Sequence, residues 1–302
     1  VREDKRLSAE LWEEFRSLVT GEVFLHAEMA RHTTMQTGGA AACLFYPQHT
    51  TDIKQALAFC ARHRQRYFVL GNGSNLLFLD SGYSGLVIAT SQLRGLQFEK
   101  DGLTAWAGET INSLLDAANT FGYHELNFLA GIPGTVGGAV VMNAGIPQAS
   151  ISDVVSEVAV LDRSGRVRVL SQSDCSFSYR HSRIRDDGLI VIWVRFNLTN
   201  KQRYDRRLLL AQRAIKQPLT YPSAGCVFVN PVGFSAGELI EKANLKGFTV
   251  GKATVSTKHA NFILNLGGAK STDILKVIDI TQKKVYKKFK IKLKLEIEIV
   301  GD

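Results

Sequence analysis

Apolar residues recur at helical spacing in several stretches of this chain. Over residues 8–19, Leu11, Phe15 and Leu18 share one side of an amphipathic helix. A second helix is predicted from Asp52, where Ile53, Ala56, Leu57 and Cys60 keep the same period. A third is predicted from Thr110, with Ile111, Leu114, Leu115 and Ala118 inward. Short apolar runs bounded by turn residues predict strands at Tyr67–Leu70, Leu86–Ala89, Val158–Leu161, Val167–Leu170 and Leu189–Phe196. DRSGR joins two of these through a Ser-Gly turn, so they read as a hairpin. Around residue 200 the texture changes: NKQRYDRRLLLAQRAIKQP reads as a charged helix stopped at Pro218, a suitable domain boundary. Beyond it are predicted a loop and strand in YPSAGCVFVN, a helix over Ser235–Ala243, a strand over Asn261–Leu266 and a helix from Ser271. In the tail, Lys288, Lys290, Lys292 and Lys294 alternate with Phe289, Ile291, Leu293 and Leu295, which predicts a strand with a lysine-coated outer face. Strands and helices alternate without a regular repeat, so the fold class is α+β with at least two domains.

Composition narrows the function classes. The 302 residues are 45% hydrophobic and 22% charged, ordinary for a globular protein with buried cores. No apolar run approaches the roughly 18 residues that span a bilayer, and VREDKRLSAELWEEF at the start lacks an apolar export signal. Cys43, Cys60, Cys175 and Cys226 lie far apart with no C-x-x-C pair, which argues against a zinc site or disulfide framework and for the cytoplasm. The histidines form no metal-binding motif, so no metal is expected. The net charge is +9, and residues 270–302 carry nine lysines against five acids. A solvated lysine row accounts for that excess better than a polynucleotide site, and an anionic small substrate suits a basic protein. Neither nucleic acid nor membrane is expected as a partner, and the chain is expected to be a monomer.

Three glycine clusters carry the chemical signal: TGG at Thr37, Gly38 and Gly39; GNGSN at Gly71, Asn72, Gly73, Ser74 and Asn75; and GIPGTVGGAVVMNAG over 131–145. Glycine lets main-chain N–H groups approach a phosphate closely. GNGSNL is not a dinucleotide fingerprint, because Leu76 stands where a third glycine is required, and no segment is a P-loop. Singly, each cluster reads as a tight turn. Three of them within one stretch, each flanked by apolar segments, favour a large phosphate-bearing cofactor.

The run from strand into GNGSNLL, followed by AGIPGTVGGAVVMNAG, resembles the FAD-binding domain of vanillyl-alcohol-oxidase type flavoproteins. The longer motif resembles one family in particular, the UDP-N-acetylenolpyruvoylglucosamine reductases, in their shorter-loop form, over 33–301. The resemblance implies a two-part FAD-binding domain, residues 1–88 and 89–200, plus an α+β substrate-binding domain over 201–302 whose last strand can return to the first part. It implies that Gly71, Asn72, Gly73, Ser74 and Asn75 cradle the FAD pyrophosphate, with Thr37, Gly38 and Gly39 alongside. Gly131, Pro133, Gly134, Thr135, Gly138 and Asn143 would line the cofactor further. NADPH would be the reductant and UDP-N-acetylglucosamine enolpyruvate the substrate, for peptidoglycan precursor synthesis.

Three further motifs match that family. In FSYRHS, Tyr179 and Arg180 would meet the substrate, Arg180 holding the enolpyruvyl carboxylate and stabilising its enolate. In YPSAGCVFVNP, Cys226 stands where most members have serine and would donate the proton; an ordinary thiol, with a pKa of about 8.5, is a stronger acid than an alcohol. Asn230 in the same segment would bind the nucleotide sugar, while Val229 replaces a common lysine or arginine. In FKIKLKLEIEIVG, counting back from Gly301 puts the family's catalytic glutamate on Glu296, and Glu298 falls where an arginine is usual. His259 and Asn261 could touch substrate or support the fold. Two other readings fit parts of the chain: an FAD-dependent alcohol or sugar oxidase, and a non-catalytic basic RNA-binding protein.

Overall fold

The computed structural model describes residues 2–100, 102–198 and 202–302, with side chains from Glu10 onward. The chain divides into two compact units: Val1–Ala27, Ala42–Gly71 and Gly85–Leu210 form the first, and Glu28–Ala41, Asn72–Ser84 and Ala211–Asp302 the second. Among the described residues no helix is long and apolar enough to cross a membrane.

The chain opens with α1 (Arg2–Leu18), which buries Trp12 and Phe15 but leaves Leu18 44% exposed. Its inner face is therefore set by the two bulky aromatics, which fill more core volume than the leucine could. Then come β1 (Glu22–Glu28), β2 (Ala40–Tyr46), α2 (Thr50–Arg62), β3 (Tyr67–Leu70), β4 (Leu76–Phe78) and β5 (Tyr83–Ala89). β1, β2, β5 and β3 make a four-stranded sheet in that order, with β3 and β5 parallel. α2 buries Ile53, Ala56, Leu57 and Cys60, as its period predicts. They pack with Trp12, Phe15 and Phe45 in one cluster.

Next are β6 (Leu96–Glu99), β7 (Gly102–Trp106), α3 (Ile111–Thr120), α4 (Val136–Val141), β8 (Gly145–Ile146), β9 (Ala149–Ser150), β10 (Val155–Leu161), β11 (Val167–Ser171), α5 (Arg183–Asp186) and β12 (Ile190–Asn197). A five-stranded antiparallel sheet runs β11-β10-β12-β7-β6. The β10–β11 hairpin turns at Gly165, as the Ser-Gly signal predicts. The glycine-rich segment 131–145 is not loop throughout. Thr135 caps α4, and Val136, Ala139 and Val140 bury themselves, which makes a helical turn worth forming despite two glycines.

The chain closes with α6 (Arg206–Lys216), α7 (Ala236–Lys242), β13 (Thr249–Val250), β14 (Ala253–Val255), β15 (Ile263–Asn265), α8 (Ser271–Phe289) and β16 (Glu298–Val300). α6 ends before Pro218 as read; residues 200 and 201 of that predicted helix lie outside the described residues. β13, β14 and β15 form one antiparallel sheet, and β16 pairs with β4 in parallel. The lysine-faced strand from residue 288 does not form as predicted. Ile274, Val277, Ile278, Thr281 and Val285 are all buried in α8, so helical burial carries the chain on to Phe289. Lys290 then ends the helix in a left-handed conformation, φ 61°. Alternation survives beyond it only as burial: Lys292 and Lys294 are exposed around Leu293, which is 4% exposed.

Candidate active site

In the first unit, β3 delivers the chain to Gly71. There the starts of α3 and α4 lie side by side: Ile111 N–H donates to the Gly134 carbonyl at 3.1 Å and Val136 N–H to that of Glu109 at 2.8 Å. Thr110 caps α3 through Ser113 N–H at 3.1 Å, and Thr135 caps α4 through Gly138 N–H at 3.4 Å. A Cβ on Gly71 would stand 2.8 Å from Thr135 Oγ1. Gly71, Thr135 and Gly138 are thus brought together, with main-chain surface kept bare by the missing side chain. Pro133 is exposed beside them, between Gly131 (φ 73°) and Gly134 (φ 145°).

Arg180 sits at the tip of a closed hairpin. Ser178 and His181 exchange both main-chain hydrogen bonds, at 3.0 and 3.1 Å, and Arg180 adopts φ 57°. A non-glycine residue held there costs about 1 kcal/mol, and such strain gathers at functional positions. The guanidinium donates to the Gly145 carbonyl at 3.1 Å and lies 5.4 Å from the ring centroid of Tyr179, itself 56% exposed. Asn143, also left-handed at φ 43°, donates to Ser178 O at 2.9 Å and accepts from Ser152 N–H at 3.1 Å. Its carboxamide therefore ties the glycine-rich segment to the arginine hairpin, a link that sequence spacing gives no sign of.

The second unit gathers the remaining candidates. Thr34 N–H donates to Gly73 O at 3.1 Å and Thr34 Oγ1 to Ser223 O at 2.8 Å, so GNGSN, the segment before TGG and the segment before Cys226 are tied together. Cys226 bridges Phe262 on one side, and Phe228 bridges Leu295 on the other. Glu296 N–H donates to Val227 O at 2.8 Å, which puts the two reacting candidates of this unit on hydrogen-bonded neighbours. Asn75 grips the far side of the glutamate: its Nδ2 donates to Glu296 O at 3.0 Å and its carbonyl accepts from Glu298 N–H at 3.0 Å. Asn72 is exposed and Ser74 half-buried in the same loop. Asn230 Oδ1 accepts from Ala236 N–H at 2.9 Å, at the start of α7. Burial holds the His259 imidazole below the ordinary histidine range; a bond to its own main chain opposes this and the Lys246 charge adds to it.

Gly73 is packed differently from Gly71. It has φ 63°, and a Cβ there would come 2.4 Å from the His32 carbonyl oxygen. Substituting it strains the main chain of its own unit, so Gly73→Val does not test the cofactor cradle cleanly. Gly71→Val is the better probe: apart from its chain neighbours, a Cβ there meets the Thr135 hydroxyl alone among the described residues, at the cost of displacing the α4 cap. The expected outcome is loss of bound flavin with a circular dichroism spectrum that loses no more than the six-residue α4. Full flavin occupancy in that variant would remove Gly71 from the site.

Residues 41–171 match the family model described as FAD binding domain, and residues 217–300 match UDP-N-acetylenolpyruvoylglucosamine reductase, C-terminal domain. The chain is 39% identical over 289 residues to the UDP-N-acetylenolpyruvoylglucosamine reductase of Caldanaerobacter subterraneus subsp. tengcongensis, covering 94% of this chain and 96% of that protein. The chain belongs to the UDP-N-acetylenolpyruvoylglucosamine reductase family. The Moorella thermoacetica member is 41% identical over 284 residues, 93% of this chain and 94% of its own. The crystal structure of the Thermus caldophilus enzyme superposes with a TM-score of 0.76 at 35% identity, covering 93% of this chain and 99% of that one. The fold is α+β, an FAD binding domain followed by the family's C-terminal domain, and the protein is an FAD-containing oxidoreductase.

The residues present fit that cofactor. Thr37 Oγ1 is buried with no hydrogen-bond partner among the described residues, in a residue 2% exposed, and such atoms call for a partner from elsewhere. The bare face at Gly71 is the other feature a large anionic group would use.

Proposed function

We propose that this chain reduces UDP-N-acetylglucosamine enolpyruvate to UDP-N-acetylmuramate with NADPH, in peptidoglycan precursor synthesis, acting in the cytoplasm as a monomer. The observation that carries the reading is the hydrogen bond from Glu296 N–H to Val227 O, which makes the proton-donor candidate and the glutamate candidate close neighbours. Bound FAD supplies a hydride acceptor and donor, which no side chain can do. Gly71, Thr135 and Gly138, together with Thr37, Gly38, Gly39 and the loop from Asn72 to Asn75, would hold it. Arg180 would bind the enolpyruvyl carboxylate and stabilise negative charge as it develops, a task suited to a fixed planar cation. Glu296 would steady the same charge through a hydrogen bond. Cys226 Sγ would release its proton to the carbon next to the carboxylate. Tyr179, Asn230 and His259 would contact substrate, the half-buried imidazole, its pKa lowered by desolvation, being suited to hydrogen bonding. The three-part division at residues 88 and 200 belongs to the same proposal.

The test is the visible spectrum of the purified protein. We expect a flavin spectrum that bleaches with anaerobic NADPH and returns on adding UDP-N-acetylglucosamine enolpyruvate. A bleached flavin that oxygen restores and this substrate does not would favour an oxidase of the same fold. A colourless protein that FAD cannot reconstitute would sink the proposal.

A further inference from the structure

Asn261 is 3% exposed, and its side chain serves one neighbour. Oδ1 accepts from Phe228 N–H at 3.0 Å and Nδ2 donates to the Phe228 carbonyl at 2.8 Å, so the carboxamide copies the two-way pairing of a strand partner. The Asn261 carbonyl accepts from Val227 N–H at 2.8 Å, and the next residue, Phe262, bridges Cys226. Val227 and Phe228 are 0% and 1% exposed, which leaves water little access to replace these bonds.

We propose that Asn261 is a positioning residue for Cys226: its carboxamide fixes the main chain at Phe228 and thereby the place of the thiol. The proposal rests on the role of Cys226 given above. An amide is the side chain this task requires. Leucine has similar volume but would bury the Phe228 N–H and carbonyl without partners. Ionised aspartate can accept from the N–H but turns a second acceptor toward the carbonyl. Protonated aspartate matches the amide in shape and restores both bonds, and burial beside a carbonyl favours that neutral form. Asn261→Asp should therefore recover as pH falls. The titratable groups around it are His259, whose Nδ1 accepts from Asn261 N–H at 3.3 Å, Lys246 acting on that imidazole, and Cys226 and Glu296 on the adjoining segments. All but the new carboxyl are present in the wild type and in Asn261→Leu, so the ratio of the aspartate variant to each at every pH isolates what the carboxyl and its coupling to these groups add.

Alkylation of Cys226 by iodoacetamide, located by mass spectrometry, reads the thiol's position without requiring turnover. Cys43, Cys60 and Cys175 are buried, so the label falls on Cys226. The second readout is reoxidation of NADPH-reduced enzyme by UDP-N-acetylglucosamine enolpyruvate. Asn261→Leu is expected to change the alkylation rate severalfold and to slow reoxidation on the order of a hundredfold, the usual effect of misplacing a reacting group by about 1 Å. NADPH reduction of the flavin should stay near the wild-type rate. Asn261→Asp should follow the leucine variant at high pH and approach wild type at low pH. Val277→Ala, a core truncation in α8 at a residue 0% exposed, is the control: it should melt earlier yet alkylate and turn over normally. Wild-type behaviour in Asn261→Leu, a pH-independent ratio in Asn261→Asp, or the same defect in Val277→Ala would each overturn the proposal. If wild-type enzyme fails to reoxidise with this substrate, the functional reading falls, and the alkylation ratios alone decide the place of Asn261.

Discussion

Cys226→Ala should slow the reoxidation of reduced enzyme by the enolpyruvyl substrate by roughly 10²–10⁴-fold, the usual contribution of a positioned general acid. NADPH should still bleach the flavin at nearly the normal rate, because that half-reaction requires no substrate protonation. Cys226→Ser should retain substantial activity, since a hydroxyl can hydrogen-bond and donate from the same place. Burial makes a third arm possible. It pushes the Cys43 and Cys60 thiols up to about 12 and Cys175 to about 11, whereas Cys226 is partly exposed. A thiol-directed reagent near neutral pH should therefore inactivate through Cys226, and bound substrate should protect. Stopped-flow absorbance resolves the two half-reactions and peptide mapping locates the label. An alanine variant that turns over like wild type would make the thiol a bystander.

The second large effect is expected at Arg180. Arg180→Ala should slow transfer to the enolpyruvyl substrate about a hundredfold or more, as loss of a charge-assisted contact at a reacting centre does. Flavin reduction by NADPH should change far less. The left-handed main chain adds an opposite expectation for stability. Arg180→Gly removes the conformational cost at φ 57°, so it should melt no earlier than Arg180→Ala while being equally slow. Thermal unfolding of both variants beside their half-reaction rates checks this. Equal slowing of both half-reactions would point instead to a general structural defect.

Much of the fold is legible in local pattern because it depends on local burial. Ile111, Leu114, Leu115 and Ala118 are the buried positions of α3, and Tyr67–Leu70 is β3 to the residue. The cofactor signal is legible for a similar reason, since close main-chain approach requires glycine at fixed positions such as Gly71. Glu296 is legible only through the family's C-terminal motif, counted back from Gly301, and not through local pattern.

Local pattern failed where two periods overlapped. Residues 288–290 satisfy both an alternating strand and the last turn of α8, and the helix prevailed because its apolar face was already buried from Ile274 onward. It failed again at Val136–Val141, where glycines and a turn-like composition hid a short capped helix.

The sequence by itself determined the amphipathic helices, most strands, the glycine-dependent loops and the motifs that define the family. Only the tertiary structure decided what the asparagines do. Asn75, Asn143 and Asn261 resemble loop or ligand-binding residues in the sequence, yet each gives its carboxamide to main chain far away, at Glu296, Ser178 and Phe228. A carboxamide carries both a donor and an acceptor but no period and no charge. Its partner is fixed by which distant main-chain groups come within reach, and that is settled only when the chain has packed.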